Sequence, residues 1–420
     1  MAELQKQISL GQGTAMLLTT LLGTGAFVVP ALAATAAGSH SLWAWILMLL
    51  LILPIAITFG LLGASWPHAG GTAYLLAKAF GKRWEKYSGW LYLSIIPIGL
   101  PAALAIATGY LGHFLGLDHQ FDSALAFATL GLLLVVSLSG VKAAGNLQLM
   151  IAVVVALCLG SLITLSDMEF QSLVPPPFEF SMVNEIGQAM AVIFWCFMGI
   201  EAMSHMGAEF RNPKRDFPLT IILSLLLTAA FYYLTASAVL HYGSYGDSLT
   251  DSRSVALIAE QIYGAGTARF VSLIGFLACF ASMNLYCMSF GRLVYSMASD
   301  GPLPSKLAKL NRQQQPATAI LAVFAIGAAA LAIQLLSGIQ LSQLISFADG
   351  VFATIYLMAM LAGYHLLKGP ARKLALVSAI LSALVLIAIG WYMAYTVLAL
   401  AICFACDFNP LKRKRALPQD

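Results

Sequence analysis

Two ionisable side chains lie inside an otherwise apolar stretch near the middle of the chain, FWCFMGIEAMSHM at 194–206. They are Glu201 and His205, which are one helical turn apart and would share a face on a regular helix. An ionisable side chain at the centre of a membrane span costs at least a few kcal/mol, so it needs a function or a structural partner. A buried carboxyl group at a functional site can take up and release a proton. Glu201 is therefore a candidate for proton transfer, with a hydrogen bond that pins the backbone as the alternative.

Two further side chains could take part in proton transfer. His205 could relay protons with Glu201, although a packed histidine with satisfied hydrogen bonds is the favoured interpretation. Asp349, in LISFADGVFATIY, lies about 13 Å into its apolar run by helical rise. It is the second carboxyl candidate, and its alternative role is to bind backbone groups freed at Gly350.

Other chemistry has little support in the sequence. No phosphate-binding glycine loop, zinc-ligand cluster or nucleophile elbow is present. Cys403 and Cys406 form a C-x-x-C, which we interpret as two small residues on a lipid-embedded helix. The sequence therefore predicts no enzyme activity, no cofactor and no metal site.

The elements that carry these residues are membrane spans. Of the 420 residues, 60% are hydrophobic and only 10% are charged. Apolar runs of about 20 residues recur along the chain, and each is long enough to cross a bilayer, so the predicted fold is an all-α integral membrane protein. About twelve spans are predicted, at 11–37, 42–64, 87–114, 123–140, 146–166, 186–208, 218–241, 266–297, 317–336, 341–366, 373–388 and 391–407.

Loop charge predicts the orientation of these spans. With a cytoplasmic N-terminus, almost all lysines and arginines fall in inner segments, and only Arg253 and Arg269 fall outside. The basic tail belongs inside by the same rule, which requires an even number of crossings; its cations are Lys412, Arg413, Lys414 and Arg415. We expect a multi-pass protein of a bacterial inner membrane with both termini cytoplasmic. The spans are expected to contact membrane lipid. The net charge is +4, and the basic residues are scattered through short loops rather than gathered on one face, so no nucleic-acid partner is predicted.

Two spans carry residues that interrupt a helix. The first contains Gly23, Thr24 and Gly25 in its middle, followed by Pro30, and the sixth contains Gly199. Weakened helices in corresponding positions of two five-helix halves indicate a 5+5 inverted-repeat transporter with its site at the unwound segments. The N–H groups freed in the first span suit a carboxylate, and carbonyls freed in the sixth suit an ammonium group. An amino acid fits both, while close helix packing is the alternative role of these glycines.

The predicted boundaries follow from the two halves. The chain is expected to form a single membrane domain, with repeat one at about 10–166 and repeat two at about 186–366. Two accessory helices at about 371–408 and a basic cytoplasmic tail at 409–420 complete it.

Several stretches in order resemble motifs of the amino acid–polyamine–organocation superfamily. They are LLGTGAFVVPALAA, WPHAGGTAYLLAKAFGKRW, WCFMGIEAMSHMGAEFRNPKRDFP and GRLVYSMASDGPLP. The resemblance covers about 10–366 and implies an amino acid transporter that works by alternating access. Within the superfamily, the chain looks most like bacterial exporters of L-methionine and branched-chain amino acids. That likeness implies efflux of methionine, leucine, isoleucine and valine driven by protons, with import or exchange as the alternative.

The resemblance also implies roles for individual residues. The substrate carboxylate would contact Gly23, Thr24 and Gly25. The amino group would contact backbone carbonyls, which belong to Leu22, Trp195 and Met198. Trp195 would also close over the substrate, Gly199 would let the helix unwind, and Glu201 would lie beside the site. The fifth span, NLQLMIAVVVALCLGSLITL, lacks the lysine that some members carry there, which leaves the coupling ion open.

Overall fold

The computed structural model describes residues 6–23, 25–117, 119–264, 266–299, 303–311, 314–339 and 341–407. Over these ranges the chain is helical, and its only β pairing is an isolated parallel bridge between Ile8 and Phe210. Nine segments within them are long and apolar enough to cross a membrane. The all-helical membrane architecture expected from composition is therefore confirmed.

Seventeen α-helices, joined by turns and short 3-10 segments, make up the described chain. In order they are α1 (Leu10–Gly23), α2 (Val29–Ala37), α3 (Ser41–Ser65), α4 (Gly71–Phe80), α5 (Lys82–Leu93), α6 (Ile96–Leu115), α7 (Asp122–Leu138), α8 (Val141–Thr164), α9 (Val183–Phe194), α10 (Ile200–Ser204), α11 (Pro213–Tyr242), α12 (Ser248–Tyr263), α13 (Thr267–Ser299), α14 (Ala317–Ser337), α15 (Leu341–Leu366), α16 (Pro370–Ile389) and α17 (Met393–Asp407).

The first predicted span is interrupted where its glycines lie. Helix α1 ends at Gly23, and α2 begins only at Val29. Pro30 occupies the first turn of α2, where its missing N–H leaves no helical hydrogen bond unmade. A side chain at Gly23 would come within 2.5 Å of Ser282, so glycine also permits close packing of α1 on α13.

The sixth predicted span is interrupted as well. After α9, residues Trp195–Phe197 form a 3-10 turn, and Met198 is extended. Gly199 follows with φ +130°, a left-handed conformation that glycine adopts without a steric penalty. A Cβ atom at Gly199 would lie 2.7 Å from the methyl group of Thr20, so the two interrupted spans pack directly against each other.

Helix α13 forms the centre of the fold. It contains 33 residues, and it packs against α1, α6, α8 and α14. Because neighbours surround it, buried residues occur on several of its faces, including Cys279, Ser282 and Arg292. The helix therefore links the interrupted first span to the second half of the chain.

Two connecting regions differ from the sequence expectation. The stretch HYGSYGDSLTDSR at 241–253 reads as a polar outer loop, yet from Ser248 onward it belongs to helix α12, which continues to Tyr263. Its apolar residues Val255, Ala256, Ile258 and Ala259 are buried, which explains the helix. The third predicted span is preceded by α4 and begins as α5 at Lys82. The last apolar run is two helices, α16 and α17, that meet at Gly390, as expected.

Candidate functional site

An apolar cavity lies beside the two interrupted spans. It encloses about 590 Å³ of space between atoms, part of it open to solvent. Most of its lining is hydrophobic, including Ile96, Leu100, Met283, Phe290 and Phe352. A mostly apolar lining with a few polar groups to orient the ligand is typical of sites that bind small organic molecules.

The structure brings some of the predicted binding residues to this cavity and leaves others beside it. Trp195 and Met198 line the cavity. Gly23 is buried against Ser282, and Gly25 packs so closely on Tyr232 and Cys196 that a Cβ atom would collide with both. Leu22 and Gly199 are also buried next to the cavity without lining it, and Thr24 lies outside the described residues.

Three polar residues of the lining were missed by sequence reasoning. They are Thr20, Ser282 and Tyr286. Thr20 precedes the Gly-Thr-Gly stretch by about one turn, whereas Ser282 and Tyr286 are one turn apart on α13. A pair of polar residues at helical spacing within an apolar span is the signal that could have identified them.

Other helices satisfy the carbonyl end of α1. The last carbonyl groups of a helix have no partner within it and must bind something else when buried. Here the carbonyl of Thr20 accepts from the Ser282 hydroxyl (2.9 Å), that of Leu21 from the Tyr232 hydroxyl, that of Leu22 from the Ala26 N–H (2.9 Å) and that of Gly23 from the Cys279 thiol (3.3 Å). The Leu22 carbonyl, expected to contact a substrate amino group, is thus already engaged.

Some backbone groups at the two interruptions remain available. The N–H groups of Gly25 and Phe27 donate no hydrogen bond within the part of the chain that the structure describes. In the same described residues, the Met198 carbonyl accepts none. The arrangement offers donors before α2 and an acceptor in the sixth span, which is the polarity that a carboxylate and an ammonium group require.

Glu201 is fully buried and is held by donors from three segments. Its carboxyl oxygens accept from the Gly199 N–H at 3.0 and 3.1 Å, from the Tyr286 hydroxyl at 2.9 Å and from the Tyr356 hydroxyl at 2.5 Å. The Tyr356 hydroxyl also lies 3.1 Å from the Phe197 carbonyl. Since Tyr286 also lines the cavity, its side chain connects the cavity directly to the carboxyl group of Glu201.

His205 follows helix α10 directly. Its backbone is still helical (φ −72°, ψ −17°), so it lies about one turn beyond Glu201, but the two side chains have different partners. The imidazole Nδ1 lies 3.3 Å from the Ala69 carbonyl, and the ring packs edge-on against Tyr92. No hydrogen bond joins His205 to Glu201 among the described residues, which leaves the two without a direct relay.

Asp349 is buried in α15 away from the cavity lining, with 8% of its surface exposed. Its Oδ1 atom has no hydrogen-bond partner among the described residues. Helix α15 runs unbroken through Gly350, so no backbone group is freed there for the aspartate to bind. An unpaired buried carboxyl group is costly, which keeps Asp349 a candidate for a functional role.

Comparison with known proteins adds to this geometry. The family model described as "Amino acid permease" matches residues 8–411. The chain belongs to the amino acid permease family. Members of this family are transporters and not enzymes, so this permease is an amino acid transporter, and its apolar helices mark a multi-pass inner-membrane protein.

Individual relatives extend over nearly the whole permease. It is 40% identical to the L-methionine/branched-chain amino acid exporter YjeH of Escherichia coli (strain K12), with 96% of each chain covered. It is 26% identical to the uncharacterized amino acid permease YecA of Bacillus subtilis (strain 168), over 98% of this chain and 97% of the relative. It is 24% identical to the serine/threonine exchanger SteT of the same species, over 87% and 84%.

Proposed function

We propose that this permease exports neutral, apolar amino acids, namely L-methionine, leucine, isoleucine and valine, by alternating access at the two interrupted spans. The observation that carries the proposal is the apolar cavity between Trp195, Met198 and α13, beside free backbone donors at Gly25. The Escherichia coli relative, an exporter of this substrate class by its name, supports the same assignment.

The cavity also explains which substrates would be rejected. None of the side chains that line it carries a charge at neutral pH, and Glu201 lies behind Tyr286 with three donors of its own. Lysine or glutamate would therefore bury an unpaired side-chain charge, at a cost of several kcal/mol. Flexible apolar side chains, above all the polarisable thioether of methionine, suit such a lining.

The proposed substrate site combines backbone and side-chain contacts. The carboxylate would bind at Gly23, Thr24 and Gly25, with the N–H of Gly25 as the described donor. The amino group would bind near Leu22, Trp195 and Met198; of these, Met198 has the carbonyl that accepts no hydrogen bond from the residues that the structure describes. Gly199 would act as the pivot that allows the sixth span to stay unwound.

We further propose that efflux is coupled to proton entry, which makes the permease an antiporter. Glu201 is the first coupling candidate because Tyr286 links it to the cavity. Asp349 and His205 are the other two, and neither contacts the cavity. The alternative is import or exchange on the same fold, for which the serine/threonine exchanger among the relatives is a precedent.

Direction and substrate can be tested in two assays. Cells loaded with a methionyl dipeptide should release methionine faster when they express the permease, whereas an importer would not raise external methionine. Proteoliposomes with purified permease should release labelled methionine and leucine but not lysine or glutamate. Robust transport of lysine or glutamate would contradict the proposed site.

We propose a single domain with twelve spans, arranged as two inverted five-helix repeats at about 10–166 and 186–366 and two accessory helices. Three additions to the nine candidate spans support this number: α1 as the first half of a broken span, the 17-residue α7, and the division of Pro370–Phe404 at Gly390. Both termini would then be cytoplasmic. A C-terminal fusion to a reporter that works only in the cytoplasm should be active. Activity of a C-terminal reporter that works only in the periplasm would contradict this orientation.

A further inference from the structure

A second cavity lies near the C-terminal end of α6 and the N-terminal end of α13. It contains about 520 Å³ of space between atoms, part of it open to solvent, and is lined by Gly109, Gly112, His113, Gly116, Asp122, Arg253 and Arg269 among others. Arg253 and Arg269 are the two cations that loop charge places on the outer side, and they come from different helices, α12 and α13. The packing of these two helices therefore places both outer cations at one pocket.

The two guanidinium groups are not used by other side chains that the structure describes. In the described part of the chain, no side-chain hydrogen bond or ion pair involves Arg253 or Arg269, although Arg253 is half-buried. Each guanidinium carries five N–H donors in a planar fork that matches a carboxylate. Asp122 lines the same pocket, and Glu260 lies close enough to His113 to affect its charge. The pocket therefore presents both signs of charge.

The floor of the pocket is open because glycines form it. Gly109 and Gly112 lie on α6, and Gly116 ends that helix with φ +67°. A Cβ atom at Gly109 would meet nothing within 4 Å, and one at Gly112 would approach Asp122 no closer than 3.7 Å. The missing side chains leave space in front of the charged groups.

The pocket and the central cavity share a helix, α6. On α6, Ala103 lines the central cavity and Gly109 the second pocket, which places them about 9 Å apart by helical rise. Tyr110, the next residue on α6, packs its ring on Phe27, just after the break in the first span, at 5.8 Å between ring centres. The same helix therefore contacts the interrupted first span and lines both cavities.

We propose that this pocket is an outer vestibule that binds the zwitterionic amino acid as it passes between the central cavity and the outside. Arg253 and Arg269 bind its α-carboxylate, and Asp122 faces its α-ammonium group. This inference rests on the proposed transport function and orientation, and it adds a second substrate site. The apolar side chain points into the open, glycine-lined space, so the vestibule recognises the amino acid backbone and not the side chain.

Labelling of an added thiol tests the vestibule without transport. Gly112→Cys places a thiol in the pocket, and a membrane-impermeant thiol reagent should modify it from the outside, above the level seen without the added cysteine. External L-methionine should slow that labelling. With Arg253→Gln and Arg269→Gln also present, about fivefold more methionine should be needed for the same protection, since two charge-assisted contacts are lost.

The matched control is Arg211→Gln with Arg215→Gln, which removes the same charge at two exposed positions after the sixth span. It should leave protection unchanged. Unaltered protection in the Arg253/Arg269 variant would overturn the proposal, because methionine would then act from the central cavity. Equal protection by acetate or inorganic phosphate would also overturn it, because the site would be a general anion site. Labelling only from the cytoplasmic side would refute the outer location.

These results separate the inference from the proposed function. Protection that depends on both arginines, in a permease that fails to move methionine through liposomes, would retain the vestibule and refute the transport proposal. Methionine efflux with no arginine-dependent protection would retain the transport proposal and refute the vestibule.

Discussion

At the scale of single residues, the contacts of Glu201 fit both roles that sequence alone left as alternatives, proton transfer and a pin for the backbone. Its carboxyl group accepts from the N–H of Gly199, which stabilises the backbone at the break. It also accepts from Tyr286 and Tyr356, which connect it to the cavity and to α15. A pinning role and a place beside the substrate are therefore compatible in the same side chain.

The Tyr356 hydroxyl is expected to stabilise this arrangement strongly. Tyr356→Phe removes the donor to Glu201 Oε2 and leaves that oxygen buried without it. A hydrogen bond to a charged group contributes about 1.5–3 kcal/mol, so the free energy of unfolding should fall by about this amount. Tyr395→Phe is the control, because its hydroxyl donates at 2.7 Å to a neutral acceptor, the Ser94 carbonyl, and should contribute about 1 kcal/mol. Unfolding of both variants in detergent checks the difference, and equal losses would argue against a special role for Tyr356.

At the scale of elements, the two interrupted spans stabilise each other. The end of α1 receives its hydrogen bonds from α11 and α13, and Gly199 packs on Thr20 of α1. Neither interruption is an isolated weak point, because side chains of α11 and α13 donate to carbonyl groups at the end of α1, and the Glu201 carboxyl group accepts from the Gly199 N–H. Such a pair can change shape together while the surrounding helices stay fixed.

Gly199→Ala should disrupt this pair of spans. The new Cβ atom would lie 2.7 Å from Thr20 and would have to adopt φ +130°, which costs about 1–3 kcal/mol in strain. We expect reduced thermal stability and loss of methionine transport in proteoliposomes. Gly160→Ala in α8 is the matched control, since its Cβ meets nothing within 4 Å and alanine favours a helix by about 1 kcal/mol. Normal transport in Gly199→Ala would show that the left-handed conformation is dispensable.

Sequence patterns predicted the elements better than the site. Glycine and proline marked the first interruption and glycine the sixth, because these residues act through their own backbone and need no partner. Helix α12 was missed because its buried face becomes visible only when α2 and α13 are packed against it. Tyr286 and Tyr356 were missed for a similar reason: each carries one hydroxyl whose partner, Glu201, is distant in sequence. The break predicted only that carbonyl groups of the sixth span are freed, and the resemblance to the superfamily was needed to name Met198.

At the scale of the whole molecule, a buried ion pair joins distant parts of the chain. Arg292 donates to both carboxyl oxygens of Glu209, to the Met288 carbonyl at 2.9 Å and to Gln315 at 3.0 Å. Arg292 is fully buried. The Glu209 carbonyl in turn accepts the N–H of Ile8 at 2.9 Å, which ties the N-terminal segment to the same point.

Breaking one side of this pair should destabilise the entire fold. Arg292→Met leaves Glu209 buried without its partner, and we expect a loss of about 3–5 kcal/mol. The double variant Arg292→Met with Glu209→Gln removes the uncompensated charge and should recover part of that loss. Thermal unfolding and the yield of folded permease check both variants. A double variant that is less stable than Arg292→Met would show that the remaining hydrogen bonds, and not the charge, dominate.

Methionine efflux from proteoliposomes under an imposed pH gradient tests the role of Glu201 most directly. The wild-type permease should release labelled methionine against its gradient when protons can enter in exchange. Glu201→Gln, which mimics the protonated carboxyl group, should still exchange internal for external methionine, because backbone groups make the main substrate contacts. It should lose the response to the pH gradient, whereas Asp349→Asn should keep it. Full gradient-driven efflux in Glu201→Gln would contradict proton coupling at this residue and leave Glu201 as a structural pin of the sixth span.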